Sequence, residues 1–144
     1  MTHTTNLIAS AIENLHIEKL NSMQLDAIDS IEKNQNTVLL APTGSGKTIA
    51  FLLPILKMMD ANKDQIQALV LAPSRELSIQ IEQVFKSMKT GFRSLCCYGG
   101  HAVSVEKKSL QARPTLLIGT PGRIADHLRR EHIDTTGIQI LVLD

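Results

Sequence analysis

The sequence predicts an α/β fold, a parallel sheet with helices on both faces, and three observations carry that expectation. Short apolar, β-branched runs alternate with longer amphipathic stretches along the chain. The runs are nearly continuous in apolar residues rather than alternating, which marks strands buried on both faces. A glycine-rich turn separates the first run from a helical stretch, and in such sheets ligands bind beyond the carboxyl ends of the strands. A β-α-β-α rhythm needs crossover helices, and these cover the sheet.

Strands are expected at Thr37–Leu40, Ala68–Leu71, Ser94–Tyr98, Thr115–Ile118 and Ile138–Leu143. Between them, Thr48–Met59 is apolar enough for a helix packed deep against a sheet, with Pro54 expected to kink it or interrupt its hydrogen bonding. Glu76–Met88 places Leu77, Ile81, Val84, Phe85 and Met88 on one stripe. Ala102–Ala112 and Ile124–Glu131 read as further helices. Residues 1–36 form a helical prelude of two helices, and the second, Ser22–Lys33, opens on a serine suited to N-capping. Residues 37–144 form the sheet domain.

Composition narrows the function classes. The chain has 144 residues, enough for one domain that buries about two-thirds of its unfolded surface. Its 43% apolar and 20% charged residues fit a soluble globular chain. A net charge of +1 excludes a global basic field, so any nucleic-acid contact rests on local arrangement. Aromatics at 3%, without tryptophan, argue against a stacking platform for bases. Cys96 and Cys97 are adjacent, and strand neighbours point to opposite faces, so an ordinary disulfide is disfavoured and a reducing, cytoplasmic compartment fits. No basic-then-apolar leader opens the chain, and no apolar run approaches the ~20 residues of a membrane span.

The chemistry concentrates in Ala41-Pro42-Thr43-Gly44-Ser45-Gly46-Lys47-Thr48. Glycines let the backbone curl so that successive N–H groups face a phosphate, and the helix N-terminus adds positive potential. Lys47 would reach the β- and γ-phosphates of a nucleotide, and Thr48 would give its hydroxyl to Mg²⁺. Ala41 stands where the general pattern has glycine. A nucleotide hydrolase of this type also needs an acid at a neighbouring strand end to hold the metal. Leu141-Val142-Leu143-Asp144 supplies that pattern.

With these residues in hand, the chain resembles the DEAD-box RNA helicases of helicase superfamily 2, along essentially its whole length after the first helix. Ala41–Thr48 matches the family's first motif, alanine included. Pro73-Ser74-Arg75-Glu76-Leu77 is similar to its Pro-Thr-Arg-Glu-Leu motif, Gly99-Gly100 to its Gly-Gly motif, and Thr120-Pro121-Gly122-Arg123 is its Thr-Pro-Gly-Arg motif. Asp144 resembles the first residue of the Asp-Glu-Ala-Asp box. The adenine-reading motif is degenerate: Gln24 is present, Ile17 replaces the aromatic, and Leu20-Asn21 replaces Pro-Thr. The amide of Gln24 can donate and accept at once, as the adenine edge requires.

The resemblance implies a RecA-like P-loop NTPase fold, incomplete at the C-terminus, with ATP and Mg²⁺ as cofactors. It implies ATP contacts from Gln24 and Ala41–Thr48, metal contacts from Thr48 and Asp144, and catalytic roles for Lys47 and Asp144. It implies that Pro73, Ser74, Arg75, Gly99, Gly100, Thr120, Pro121, Gly122 and Arg123 grip an RNA backbone without reading sequence. The implied activity is ATP-driven unwinding or remodelling of RNA. The implied partner is a second RecA-like domain, which closes over ATP and RNA and supplies arginine fingers. The glutamate expected after Asp144 and the sensor strand beyond it are not in the chain, which alone is expected to be catalytically incompetent. A DNA helicase or translocase of the same superfamily and a non-enzymatic RNA clamp with a dead ATP site are the alternatives.

Overall fold

The computed structural model describes the backbone of residues 2–144 and the side chains of residues 6–144. The chain divides into two compact units, one comprising Met1–Met58 with Ser87–Thr90, the other Met59–Lys86 with Gly91–Asp144.

The first unit holds α1 (Thr2–Asn14), α2 (Ser22–Lys33) and α3 (Lys47–Met58), with the glycine-rich loop leading into α3. Both α1 and α2 pack on α3, which is buried without a break from Ala50 to Leu56. It runs through Pro54 as one helix; the missing N–H of the proline leaves the Ala50 carbonyl without its intrahelical donor. The cap of α2 is Asn21 rather than Ser22, which is the first residue inside the helix. The Asn21 Oδ1 accepts the Gln24 N–H at 2.9 Å, and the Gln24 Oε1 accepts the Asn21 N–H at 3.0 Å. This reciprocal box satisfies two orphan donors at once, which one serine hydroxyl at position 22 could not do.

The strand expected at Thr37–Leu40 does not form. Val38 and Leu40 are 85% and 89% exposed. A strand needs a neighbouring backbone to take its N–H and C=O groups, and this run has no ladder among the described residues.

The second unit holds β1 (Ala68–Leu71), α4 (Arg75–Ser87), β2 (Ser94–Cys97), α5 (Val103–Leu110), β3 (Leu116–Gly119), α6 (Pro121–Arg129) and β4 (Ile140–Leu143). The strands form the parallel sheet that the sequence predicts, in the order β2-β3-β1-β4, flanked by helices. Residues Ala68 to Leu71 of β1 face Leu116 to Gly119 of β3 on one side and Ile140 to Leu143 of β4 on the other. Every residue of β3 is buried, as an interior parallel strand requires. The core gathers Ile66, Leu69, Cys97, Leu110, Leu117, Ile124 and Ile133. On α4 the expected stripe points inward, with Ile81 and Phe85 buried. The last helix starts earlier than Ile124: Thr120 is its N-cap and Pro121 its first residue. Proline suits that position, since its φ is preset and its absent N–H would have had no intrahelical acceptor.

Candidate nucleotide and nucleic-acid sites

The glycine-rich loop Ala41–Thr48 lies in the first unit. Gly44 and Gly46 have φ of +79° and +90°, the left-handed region that opens the curl. Lys47 is the first residue of α3. Its ammonium donates to the carbonyls of Ala41 and Pro42, both at 2.8 Å, and so stands over the concave side of its own loop. Thr48 lies in the same first helical turn and is half-buried. The Ser45 hydroxyl is buried and has no hydrogen-bond partner among the described residues. Such a group left unsatisfied costs ~1–3 kcal/mol, and an anionic ligand in the cradle would satisfy it.

Gln24 is only 5% exposed. Its Nε2 donates to the Gly46 carbonyl at 3.3 Å, and the Asn21 Nδ2 donates to the Ser45 carbonyl at 3.1 Å. Asn21, where the family pattern has threonine, thus caps α2 and supports the loop at once. A Cβ added at Gly46 would meet the Gln24 Nε2 at 2.5 Å. We expect Gly46→Ala to lower the melting temperature by several degrees and to weaken nucleotide binding, because positive-φ strain costs ~1–3 kcal/mol beyond the clash. Gln24→Ala in the same chain removes the clash and not the strain, so thermal melting of the double variant should recover only in part. Equal stability of Gly46→Ala and the parent would refute this packing.

The second unit carries the other motifs. Ser74 caps the turn into α4: its Oγ accepts the Leu77 N–H at 3.2 Å, and its carbonyl accepts the Ser78 hydroxyl at 2.9 Å. Pro73 and Arg75 are exposed beside it. The Arg75 guanidinium lies 4.8 Å from the centroid of the Tyr98 ring. Gly100, with φ +108°, brings its backbone so close that a Cβ there would sit 3.4 Å from the Arg75 Nη1. The Pro73–Leu77 and Gly99-Gly100 motifs are therefore adjacent. Thr120 is half-buried, and its N–H donates to the Cys97 carbonyl at 3.1 Å. Pro121 and Gly122 are exposed at the N-terminus of α6, where free N–H groups favour an anion. Arg123 turns inward instead: its side chain is 9% exposed and its Nη2 donates to the His101 carbonyl at 2.8 Å. At the end of β4 the Asp144 N–H donates to the Leu71 carbonyl at 2.9 Å, leaving an exposed carboxylate. A hydroxyl at the head of α3 and a carboxylate at a strand end are hard oxygen donors of the kind Mg²⁺ takes.

Two residues escaped the sequence reading. Glu106 on α5 and His127 on α6 are 3% and 0% exposed and meet at 2.6 Å. Glu106 sits among Val105, Lys107 and Lys108 in a stretch that reads as a solvated face, so no local signal reveals it. Cys97 lies close enough for the three to suggest a metal cage, within 4.8 Å of one another. The chemistry opposes it. Burial, and next the Glu106 carboxylate, push the Cys97 thiol far up, so it stays protonated, and the Arg123 guanidinium stands beside Glu106 at 3.6 Å. Burial likewise pushes the Cys96 thiol up to about 12, and neither cysteine is a reactive thiolate.

Known proteins resemble this chain. A family model described as DEAD/DEAH box helicase matches residues 21–144. The chain is 37% identical over 140 residues to the ATP-dependent RNA helicase DeaD of Escherichia coli strain K12, an alignment covering 95% of this chain and 22% of that protein. It is 34% identical over 139 residues to the DEAD-box ATP-dependent RNA helicase CshA of Bacillus cereus strain ATCC 10987, covering 95% of this chain and 26% of that one. The CshA of Bacillus anthracis matches to the same extent. The chain thus spans about a quarter of the length of these curated relatives. Among the described residues no helix is long and apolar enough to cross a membrane. Matched by that family model over residues 21–144, the chain belongs to the DEAD/DEAH box helicase family.

Proposed function

We propose that this chain is the nucleotide-binding, RNA-gripping part of an ATP-dependent RNA helicase acting in the cytoplasm. The observation that carries the reading is the glycine-rich loop at the head of α3. It presents a lysine ammonium, a threonine hydroxyl and a buried serine hydroxyl that has no hydrogen-bond partner among the described residues. Such a loop is suited to the phosphates of ATP, with Lys47 neutralising the β- and γ-phosphates. Thr48 and Asp144 would hold Mg²⁺, which when bound offsets charge developing on the transferred phosphoryl group. Gln24 would read the adenine edge: each polar atom of its amide keeps one further hydrogen or lone pair after the contacts it already makes. Hydrolysis requires a second RecA-like domain that closes on the site, so this chain alone binds and does not turn over.

RNA would lie across Pro73, Ser74, Arg75, Gly99, Gly100 and Thr120–Arg123. The names of the relatives, ATP-dependent RNA helicases in two bacterial genera, support RNA as the nucleic acid. The contacts offered are a cation, exposed glycine turns and a helix N-terminus, all suited to phosphate and not to base edges. Binding is therefore expected to be weak, indifferent to sequence and steeply salt-dependent, with a slope of roughly −0.7 in log K against log salt for each phosphate engaged. Arg123→Ala is expected to lower affinity equally for unrelated sequences. Fluorescence anisotropy over a salt series with several labelled RNAs tests this. A strong preference for one sequence, or affinity unmoved by salt, would overturn the backbone grip.

A further inference from the structure

Glu106 connects the two turns that the proposed function assigns to RNA. Its Oε1 accepts the Tyr98 N–H at 2.9 Å and faces the His101 Nε2 at 2.7 Å. Its Oε2 faces the His127 Nε2 at 2.6 Å and the Arg123 Nε at 3.6 Å. Tyr98 and His101 bracket Gly99-Gly100. Arg123 closes the Thr-Pro-Gly-Arg turn, and His127 lies one helical turn further along α6. Arg123 also donates to the His101 carbonyl, so the two turns are joined directly as well as through the carboxylate. The network reaches the third motif too. The His101 ring stands edge-on to Tyr98 at 5.0 Å, and the other neighbour of that ring is the Arg75 guanidinium.

A carboxylate 3% exposed is costly to desolvate, and well-packed apolar side chains in its place are often as stable or more so. What the carboxylate supplies and an apolar group cannot is a fixed geometry among separate donors. Here those donors belong to two separate segments, Tyr98 with His101 and Arg123 with His127. His127 is itself held from behind, its Nδ1 3.0 Å from the Nδ1 of His132, so the imidazole facing Glu106 cannot swing away without breaking a second contact.

We propose that Glu106 is a positioning residue for RNA backbone binding, holding the Gly99-Gly100 turn and the Thr120–Arg123 turn in the one relative arrangement that a continuous phosphate chain can follow. The proposal rests on the RNA-gripping reading given above. Glu106 touches no RNA; it acts through Tyr98, His101, Arg123 and His127.

The test uses the full-length protein that carries this chain, with fluorescein-labelled oligouridine as the RNA probe and mant-ADP as the nucleotide probe. Glu106→Ala is expected to weaken oligouridine binding about tenfold or more while mant-ADP affinity changes less than about twofold. Glu106→Gln keeps an oxygen to accept the Tyr98 N–H. Its NH2 then stands where Oε2 faced His127 and Arg123, and donates to the His127 Nε2 when that ring carries its proton on Nδ1. The variant gives up both the charge and the acceptor for Arg123. It is expected to recover most of the loss, ending about threefold weaker than the unsubstituted protein. His101→Ala combined with Glu106→Ala is expected to bind RNA no more weakly than Glu106→Ala alone, because the two act through one turn. If Glu106→Ala does not fold, Glu106→Gln decides by its selective loss of RNA over nucleotide. RNA affinity unchanged in Glu106→Gln, or RNA and mant-ADP affinities falling together in both variants, overturns the proposal. An unsubstituted protein that binds mant-ADP and no oligouridine removes the RNA-gripping reading itself, and the proposal with it.

Discussion

Lys47→Ala is expected to abolish most of the affinity for Mg·ATP and Mg·ADP while leaving the fold in place. The side chain contributes one ammonium, and its contact with phosphate is a charge-assisted hydrogen bond, roughly twice as strong as a neutral one. Losing such a bond costs ~1.5–3 kcal/mol, which corresponds to roughly a ten- to hundredfold weaker complex. The stability effect is expected to be small. The ammonium donates to the Ala41 and Pro42 carbonyls; Pro42 is exposed and Ala41 half-buried, so water can replace the lysine at both. Lys47 is also only the first residue of α3, and alanine is a good helix former. Titration calorimetry on both proteins, with thermal melting alongside, separates the two effects. Unchanged nucleotide affinity would exclude the phosphate assignment. A large fall in melting temperature would mean that Lys47 holds the loop together rather than waiting for a ligand.

The conformation of the glycine-rich loop is legible in the sequence because it is set locally. Glycines, a lysine and a threonine in one stretch specify a loop and a helix start whatever surrounds them, and Gly44, Gly46 and Lys47 adopt the geometry that their order implies. The parallel strands Ala68–Leu71, Ser94–Cys97 and Leu116–Gly119 were legible for a different reason. A run buried on both faces must be apolar throughout, and that leaves its mark on sequence. Thr37–Leu40 carries the same mark and forms no strand, because strand formation depends on a neighbour and not on the run itself. The cap of α2 was misassigned by one residue, since Ser22 and Asn21 both suit the position and only the reciprocal Gln24 bond selects between them. Glu106 and His127 were invisible for the converse reason. Each is an ordinary member of a polar helical stretch, and their burial arises only when α5 and α6 meet over β2 and β3. Arg123 was legible as a motif residue, but its inward turn toward Glu106 and His101 was not.

The largest effect on stability is expected from lengthening the chain. β4 pairs with β1 on one side and forms the edge of the sheet on the other. Its Leu141 and Leu143 are 59% and 74% exposed. The resemblance to DEAD-box helicases implies a sensor strand, later in sequence, beside the strand that ends in Asp144. Such a strand would give β4 a second ladder. Burying one leucine side chain contributes ~1.5–3 kcal/mol, so Leu141 and Leu143 together are a large share of the ~5–15 kcal/mol of a domain's stability. An apolar edge left open also invites pairing between copies. The 144-residue chain is therefore expected to melt broadly, to associate at working concentrations and to release no phosphate from ATP. A chain extended through the next apolar strand is expected to melt cooperatively and to bind nucleotide more tightly. A chain that also carries a second RecA-like domain is expected to be the first to show RNA-stimulated hydrolysis. Thermal melting, sedimentation and phosphate release on the three lengths test the sequence of gains. A sharp monomeric melt and ATP turnover from residues 1–144 alone would defeat both the missing-strand argument and the view that catalysis needs the second domain.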